Sequence, residues 1–180
     1  MICSFRICWV IDMLYIFVEG PDDERYVNRV ISPLVGECEV VKYATLTQGK
    51  INNFIRSINC MPSRDYLFLG DADGKNISDK KADLLHKYVS LDANKTYIVE
   101  YEIESWYYAG LSETDARKLK MKHYVLQTDT LTKEQFYAKM LNISEKRYIM
   151  DSILDSYLFP LAVTRNRSLK ILSENIKKEP

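Results

Sequence analysis

The residues best suited to chemistry in this chain are carboxylates that directly follow apolar segments. Glu19 comes after residues 14–18, a pair of aspartates after residues 66–69, and a run of glutamates after residues 96–99; these later acids are Asp71, Asp73, Glu100, Glu102 and Glu104. Carboxylate oxygens are hard ligands that select Mg²⁺, Mn²⁺ or Ca²⁺ over zinc. Acids gathered in one place raise each other's pKa, so such a cluster is stable only with a bound cation or good solvation. The pattern predicts a site for a hard divalent cation.

The acids converge only if the apolar segments are neighbouring strands of one sheet. Apolar runs typical of strands buried on both faces occur at residues 14–18, 39–43, 66–69 and 96–99. Between them, apolar residues recur at helical spacing. This alternation predicts an α/β fold with a four-stranded, mostly parallel sheet flanked by helices. The carboxyl ends of parallel strands face one crevice, where ligands bind.

After about residue 103 the strand signals end and helical patterns continue to the C-terminus. Thr132 and Gln135 form a capping-box pattern ahead of one helix. A longer amphipathic helix is predicted from Tyr148 onward, ended by Pro160, and Leu169 lies in a last short helix. We therefore predict a helical extension that packs onto the sheet.

Length and composition suit one domain with an appended helical piece. The chain has 180 residues, of which 47% are apolar, enough for a substantial core. Residues 13–111 are predicted to form the α/β domain and residues 112–180 the helical extension. Residues 1–12 are interpreted as an N-terminal extension or as a short extra strand.

Charge and cysteine content narrow the possible partners. Twenty-five basic residues balance 25 acidic ones, which removes the simplest argument for a nucleic-acid partner without excluding one. The four cysteines form no CxxC pair and the two histidines lie far from them, so a zinc site is not indicated. Reduced thiols and apolar segments too short to span a bilayer predict a cytoplasmic protein without a membrane partner.

The aspartate pair has several interpretations. Along an extended segment, Asp71 and Asp73 lie on one side, with glycines that allow close approach to a ligand. An ordinary Asp-Gly turn is the structural alternative. An EF-hand loop beginning at Asp71 is ruled out, because its sixth and twelfth positions hold Asn76 and Ala82 rather than glycine and glutamate. Phosphatases with an aspartyl nucleophile carry their aspartates after the first strand, whereas this pair follows the third.

Taken together, the motifs resemble the Toprim domain of topoisomerases, bacterial primases and OLD (overcoming lysogenization defect) nucleases. The resemblance rests on Glu19-Gly20 after the first strand, the Asp-x-Asp-Gly sequence at residues 71–74, and the acidic segment after the fourth strand. The run at residues 18–23 is similar to the OLD variant, in which a second acid, here Asp23, follows the first by four residues. The similarity covers about residues 14–110.

This resemblance implies one or two Mg²⁺ or Mn²⁺ ions and hydrolysis of nucleic-acid phosphodiesters, preferentially in DNA. The expected biological setting is defence against foreign DNA or nucleic-acid repair. The resemblance assigns the first ion to Glu19, Asp71 and Asp73, and the second to Asp23 and Glu104, with Glu102 as the alternate. If residues 100–104 stay extended, their three glutamates share a face. If the helix starts earlier, Glu104 aligns with Glu100 and Glu102 points away.

OLD nucleases also use a basic residue from beyond the sheet core, and Lys170 or Arg167 is the candidate here. The chain departs from OLD proteins in lacking a G-x-x-x-x-G-K-[ST] phosphate loop, so any ATPase would be a separate subunit. The leading hypothesis is a metal-dependent nuclease, with Lys170 as a catalytic residue beside Glu19, Asp71 and Asp73. The alternatives are a non-cleaving metal- and nucleic-acid-binding module that works with a partner ATPase, and an enzyme acting on small phosphoesters.

Overall fold

The structure, a computed structural model, describes residues 12–176 and contains one four-stranded sheet. Its strands are β1 (Met13–Val18), β2 (Cys38–Lys42), β3 (Arg64–Asp71) and β4 (Thr96–Val99). All neighbouring strands run parallel, in the order β2-β1-β3-β4. The prediction of a four-stranded parallel sheet flanked by helices, with a helical C-terminal part, is confirmed.

The sheet is buried on both faces, which explains the continuous apolar strands. Along β1, Ile16 and Val18 face one core and Tyr15 and Phe17 face the other, as strand alternation requires. The second core is covered by helices that follow β2 and β3. The first core is larger and also contains apolar residues from the C-terminal part of the chain.

Helices connect the parallel strands in crossovers, which are almost always right-handed in proteins. After β1 come α1 (Pro21–Tyr26), a π-helical segment (Val27–Ile31) and α2 (Ser32–Val35). After β2 come a 3₁₀ turn (Tyr43–Thr45) and α3 (Gln48–Asn59), and after β3 come α4 (Ile77–Lys87) and a second 3₁₀ turn (Ala93–Lys95). Helix α5 (Glu104–Ala109) follows β4 and brings a buried aromatic segment onto the first core.

The C-terminal part consists of helices and the loops that join them, with no strand among the described residues, and it packs on the first core. It comprises α6 (Glu113–Lys118), α7 (Lys133–Ala138), a 3₁₀ turn (Ile143–Glu145), α8 (Lys146–Asp155), α9 (Phe159–Arg165) and α10 (Arg167–Ile176). The capping box of Thr132 and Gln135 is present at the start of α7. The prediction that Pro160 ends a helix is wrong: α8 ends at Asp155, and Pro160 lies in the first turn of α9, where a missing N–H costs nothing.

The predicted extension at residues 1–12 lies outside the described residues except for Asp12. The Asp12 N–H donates to the Ser63 carbonyl at 2.8 Å, just ahead of β1. Within residues 12–176, every helix is too short or too polar to cross a bilayer.

Candidate metal centre

Four carboxylates, here named the acidic cluster, meet at the carboxyl edge of the sheet. Glu19 directly follows β1, Asp23 lies in the first turn of α1, Asp71 ends β3, and Glu104 begins α5. Strands β1 and β3 are direct neighbours about 5 Å apart, and their register puts Glu19 beside Gly70, one residue before Asp71. The carboxylates interact electrostatically with one another: Glu19 and Glu104 both act on Asp23, and all three act on Asp71.

Glu19 and Asp23 are each held by a local hydrogen bond. The Tyr43 hydroxyl, from the turn after β2, donates to Glu19 Oε2 at 3.0 Å. The Gly20 N–H donates to Asp23 Oδ2 at 3.1 Å, which ties Asp23 back to the start of α1. Asp23 is only 7% exposed. Burial, reinforced by the charges of Glu104 and Glu19 and opposed by backbone hydrogen bonds, raises the pKa of Asp23 to about 7.

Asp71 is the member of the cluster on which the negative charges of all the other members act. Burial raises the pKa of Asp71 well above its ordinary value, and the charges of Asp23, Glu19 and Glu104 add to the effect. The side chain as a whole is partly exposed, but Oδ1 is buried and has no hydrogen-bond partner among residues 12–176. A buried carboxylate oxygen without a partner costs free energy, so this atom is suited to a ligand that the protein itself does not supply.

Glu104 is fully buried and is held from the helical extension. Its Oε1 accepts from the Tyr137 hydroxyl at 2.7 Å and lies 3.2 Å from Lys133 Nζ. Burial works against the Lys133 ammonium, but the Glu104 carboxylate outweighs it and raises the pKa of Lys133. Glu104 Oε2 has no partner in the described part of the chain. Oε1 of Glu104 is therefore engaged by a hydroxyl and an ammonium, whereas Oε2 remains available to a ligand.

The cluster has the donor chemistry of a hard divalent cation site but not its geometry. In residues 12–176, no three His, Cys, Asp or Glu side chains are already arranged around a common point. The reason is visible in the contacts, since Glu19, Asp23 and Glu104 each turn toward a protein donor. Within residues 12–176, three buried carboxylate oxygens have no hydrogen-bond partner; those of Asp71 and Glu104 belong to this cluster, and the third is on Glu100. An all-oxygen donor set of this kind suits Mg²⁺ or Mn²⁺.

Asp73 and Glu102 occupy the edges of the cluster. The predicted extended segment from Asp71 to Asp73 is not formed: the strand ends at Asp71, and Asp73 has a left-handed backbone with φ of 51°. Asp73 instead pairs with Lys80 at 2.5 Å. Glu102 Oε2 accepts from the Lys133 N–H at 2.8 Å, so Glu102 holds the start of α7. Their roles as metal ligands remain predictions.

The two basic candidates from the sequence lie on α10. Lys170 is exposed, and its ammonium makes no ion pair within the described residues. Arg167 begins α10 and lines a cavity beside β4. The ammonium that does reach the acidic cluster is that of Lys133. The catalytic role of Lys170 stays a prediction.

Sequence reasoning missed three residues that organise the cluster, namely Tyr43, Lys133 and Tyr137. Burial and the neighbouring carboxylates raise the pKa of both phenols, so each stays a hydrogen-bond donor. The capping box of Thr132 marked the start of α7, which is where Lys133 lies. Nothing in the local pattern placed that helix start beside a glutamate some 30 residues earlier in the chain.

Comparison of the chain with protein-family models, with curated proteins and with solved structures found no match. The resemblance to the Toprim domain therefore rests on the sequence motifs, and the observed fold is consistent with it.

Proposed function

We propose that this protein is a metal-dependent nuclease that hydrolyses nucleic-acid phosphodiester bonds in the cytoplasm. The observation that carries the proposal is a pair of buried carboxylate oxygens, on Asp71 and Glu104, that have no protein partner within residues 12–176 and lie in a cluster of four acids. Buried charge of one sign is costly unless it is compensated. A divalent cation supplies that compensation and also attracts a phosphate.

The chain's own groups have separable roles in this proposal. Glu19 and Asp71 would hold one Mg²⁺ or Mn²⁺ ion, with Asp73 beside them, and Asp23 and Glu104 a second. When bound, such ions activate water and stabilise the leaving oxygen of a phosphodiester. Tyr43 fixes the orientation of Glu19 by donating to Oε2. These assignments follow the motif positions together with the contacts of each side chain.

Lys133 supplies positive charge next to Glu104, at the carboxylate oxygen that carries the ion pair. Its Nζ is 3.2 Å from Glu104 Oε1, and the side chain is 42% exposed. An ammonium that is both partly exposed and next to the acidic cluster is positioned to interact with a phosphate oxygen of a bound strand. We therefore prefer Lys133 over Lys170 as the basic residue of the reaction.

The first test is cleavage of supercoiled plasmid, linear DNA and RNA in the presence of Mg²⁺ or Mn²⁺. We expect cleavage by the native chain and a loss of at least about a hundredfold in Asp71→Asn, because even outer partners of metal ligands are worth 10- to 100-fold. Asp79→Asn is the matched control, since Asp79 is exposed on α4 and outside the acidic cluster. Equal activity in Asp71→Asn and Asp79→Asn would rule out a catalytic role for the cluster.

Metal binding is also expected to stabilise the fold. At a metal concentration 100 times Kd, binding to the folded state alone adds about 2.7 kcal/mol to the free energy of unfolding. Thermal melts with and without millimolar Mg²⁺ or Mn²⁺ measure this gain. Asp71→Asn should lose most of the gain while Asp79→Asn keeps it. Metal-independent melting of the native chain contradicts a metal centre.

A second candidate function is a non-cleaving metal- and nucleic-acid-binding module that works with a separate ATPase. The observation in its favour is that Glu19 and Asp23 each already accept a hydrogen bond from a protein donor and that no three acidic side chains in residues 12–176 surround a common point. Binding of DNA without cleavage in the plasmid assay selects this candidate. Turnover of a small phosphoester alone would indicate the third class of function.

A further inference from the structure

A cavity of about 630 Å³ lies along the outer side of β4, between the start of α4 and helix α10. Its volume is in the range of small-molecule sites, about 300–1,000 Å³. None of the four residues of the acidic cluster lines it. Strand β4 is an edge of the sheet, so within the described residues its outer backbone groups have no strand partner. The cavity is thus a polar-edged site separate from the candidate metal centre.

Two cationic side chains line this cavity, and within the described residues neither is paired with a carboxylate. Lys81 comes from α4 and Arg167 is the first residue of α10. In the described part of the chain, the side chain of neither residue makes an ion pair or a hydrogen bond, although the Arg167 N–H donates to Asp129. Cationic side chains that line one cavity and are not engaged by carboxylates suit a phosphate, which arginine binds in a bidentate manner.

The rest of the lining suits a sugar and a base. Glu100 Oε2 is buried and without a hydrogen-bond partner within residues 12–176, so it is available to accept from a hydroxyl or an amino group. Acidic side chains commonly accept from ribose hydroxyls in this way. Tyr97 and Ile171 provide aromatic and apolar wall, on which a base packs. The side chain of Asn94 adds amide donors and an acceptor.

We propose that this cavity binds a nucleoside phosphate, with the phosphate on Lys81 and Arg167, a sugar or base donor on Glu100, and the base against Tyr97. The ligand is either a free mononucleotide or one nucleotide of a strand, since both present the same chemistry. Binding here requires neither a metal ion nor cleavage, and it gives Arg167 a role different from the catalytic one predicted from the sequence.

The test is isothermal titration calorimetry of the full chain in EDTA. The ligands are nucleoside monophosphates, a short single-stranded oligonucleotide and inorganic phosphate. We expect saturable binding of a nucleotide, weakened at least about tenfold in Lys81→Ala and in Arg167→Ala. Arg56→Ala is the control, since Arg56 is exposed on α3 away from the cavity. Glu100→Gln should weaken nucleotide binding and leave phosphate binding unchanged.

The outcomes distinguish a free mononucleotide from a nucleotide within a strand, and they test the nucleotide site independently of the proposed nuclease. Binding of mononucleotides indicates a free nucleotide, and binding of the oligonucleotide alone indicates a strand. The proposal is overturned if neither nucleotide form binds, if inorganic phosphate binds as tightly as a nucleotide, or if Arg56→Ala weakens binding as much as Arg167→Ala. Because EDTA removes divalent metal, a failure of the nuclease assay leaves this result unaffected.

Discussion

In EDTA, titration of Asp23 together with the carboxylates beside it is expected to lower the free energy of unfolding by roughly 4 kcal/mol as the pH rises from 3.8 to about 7. The pKa of Asp23 is about 7 in the folded chain and 3.8 ordinarily. Between these values the unfolded chain loses the Asp23 proton while the folded chain keeps it. Each unit of rising pH therefore favours unfolding, and the effect ends above about pH 7, where both states are ionised.

Urea denaturation at several pH values in EDTA measures this slope. Asp23→Asn should flatten it, because the amide oxygen still accepts from the Gly20 N–H but carries no titrating proton. Asp79→Asn, on an exposed aspartate, should keep the native slope. Paired carboxylates such as Asp83 and Asp115, whose pKa is lowered by lysine partners, act in the opposite direction, so the difference between the native chain and Asp23→Asn is the decisive quantity. A slope that is the same in both contradicts a strained acidic cluster.

Urea denaturation at several pH values in the presence of metal separates two causes of the raised pKa values, namely carboxylate repulsion and burial. The raised pKa of Asp71 changes stability in the same direction as that of Asp23, so both contribute to the loss. A bound divalent cation favours the ionised forms of both groups. We therefore expect saturating Mg²⁺ or Mn²⁺ to remove most of the pH dependence above pH 5 or so, and to do so less in Asp71→Asn.

The second large effect is expected from Arg165→Ala, which should destabilise the fold by about 3–5 kcal/mol. Arg165 is 5% exposed and donates to the carbonyls of Ala109, Leu111, Leu126 and Val125. It also donates to the Tyr124 hydroxyl at 3.0 Å. The bonds to Ala109 and Leu111 are buried, and the Leu111 carbonyl also accepts from the Tyr124 hydroxyl at 2.9 Å. Truncation therefore leaves the Ala109 carbonyl without this donor and opens a gap beneath the guanidinium site, and an unsatisfied buried acceptor alone costs about 1–3 kcal/mol.

Chemical denaturation of two further variants tests this explanation. Arg165→Lys should be intermediate, because an ammonium cannot reach as many carbonyls as the planar guanidinium. Arg147→Ala should change stability by less than about 0.5 kcal/mol, since Arg147 is 78% exposed and has only a 4.0 Å ion pair. If Arg165→Ala lowers the free energy of unfolding as little as Arg147→Ala does, water takes over the hydrogen bonds of the guanidinium and the proposed clamp is wrong.

Arg165 matters for the candidate site because it ties the helical extension to α5. Ala109 ends that helix and Glu104 begins it, so the clamp at one end sets the position of the acid at the other. A neighbouring contact acts in the same sense: the Trp106 indole N–H donates to Ser168 at 2.8 Å. Helices α9 and α10 thus support the metal centre without supplying a carboxylate to it.

The sequence alone determined the sheet and the positions of the strand-end acids. Buried parallel strands are continuous apolar runs, and they end where a polar residue first appears, so Glu19 and Asp71 could be placed at strand ends from local pattern. Parallel topology then required those ends to share an edge. The capping box at Thr132 was equally local, because both partners lie within one helical turn.

Only the tertiary structure decided which glutamate joins the cluster and what neutralises it. Alternation left Glu102 and Glu104 both open, and the choice was made by α7, whose Lys133 backbone N–H holds Glu102 and whose side chain faces Glu104. The left-handed backbone at Asp73 likewise reflects its loop and its pairing with Lys80. Such contacts join residues far apart in sequence, and burial and charge depend on the packed neighbours rather than on residue type or spacing.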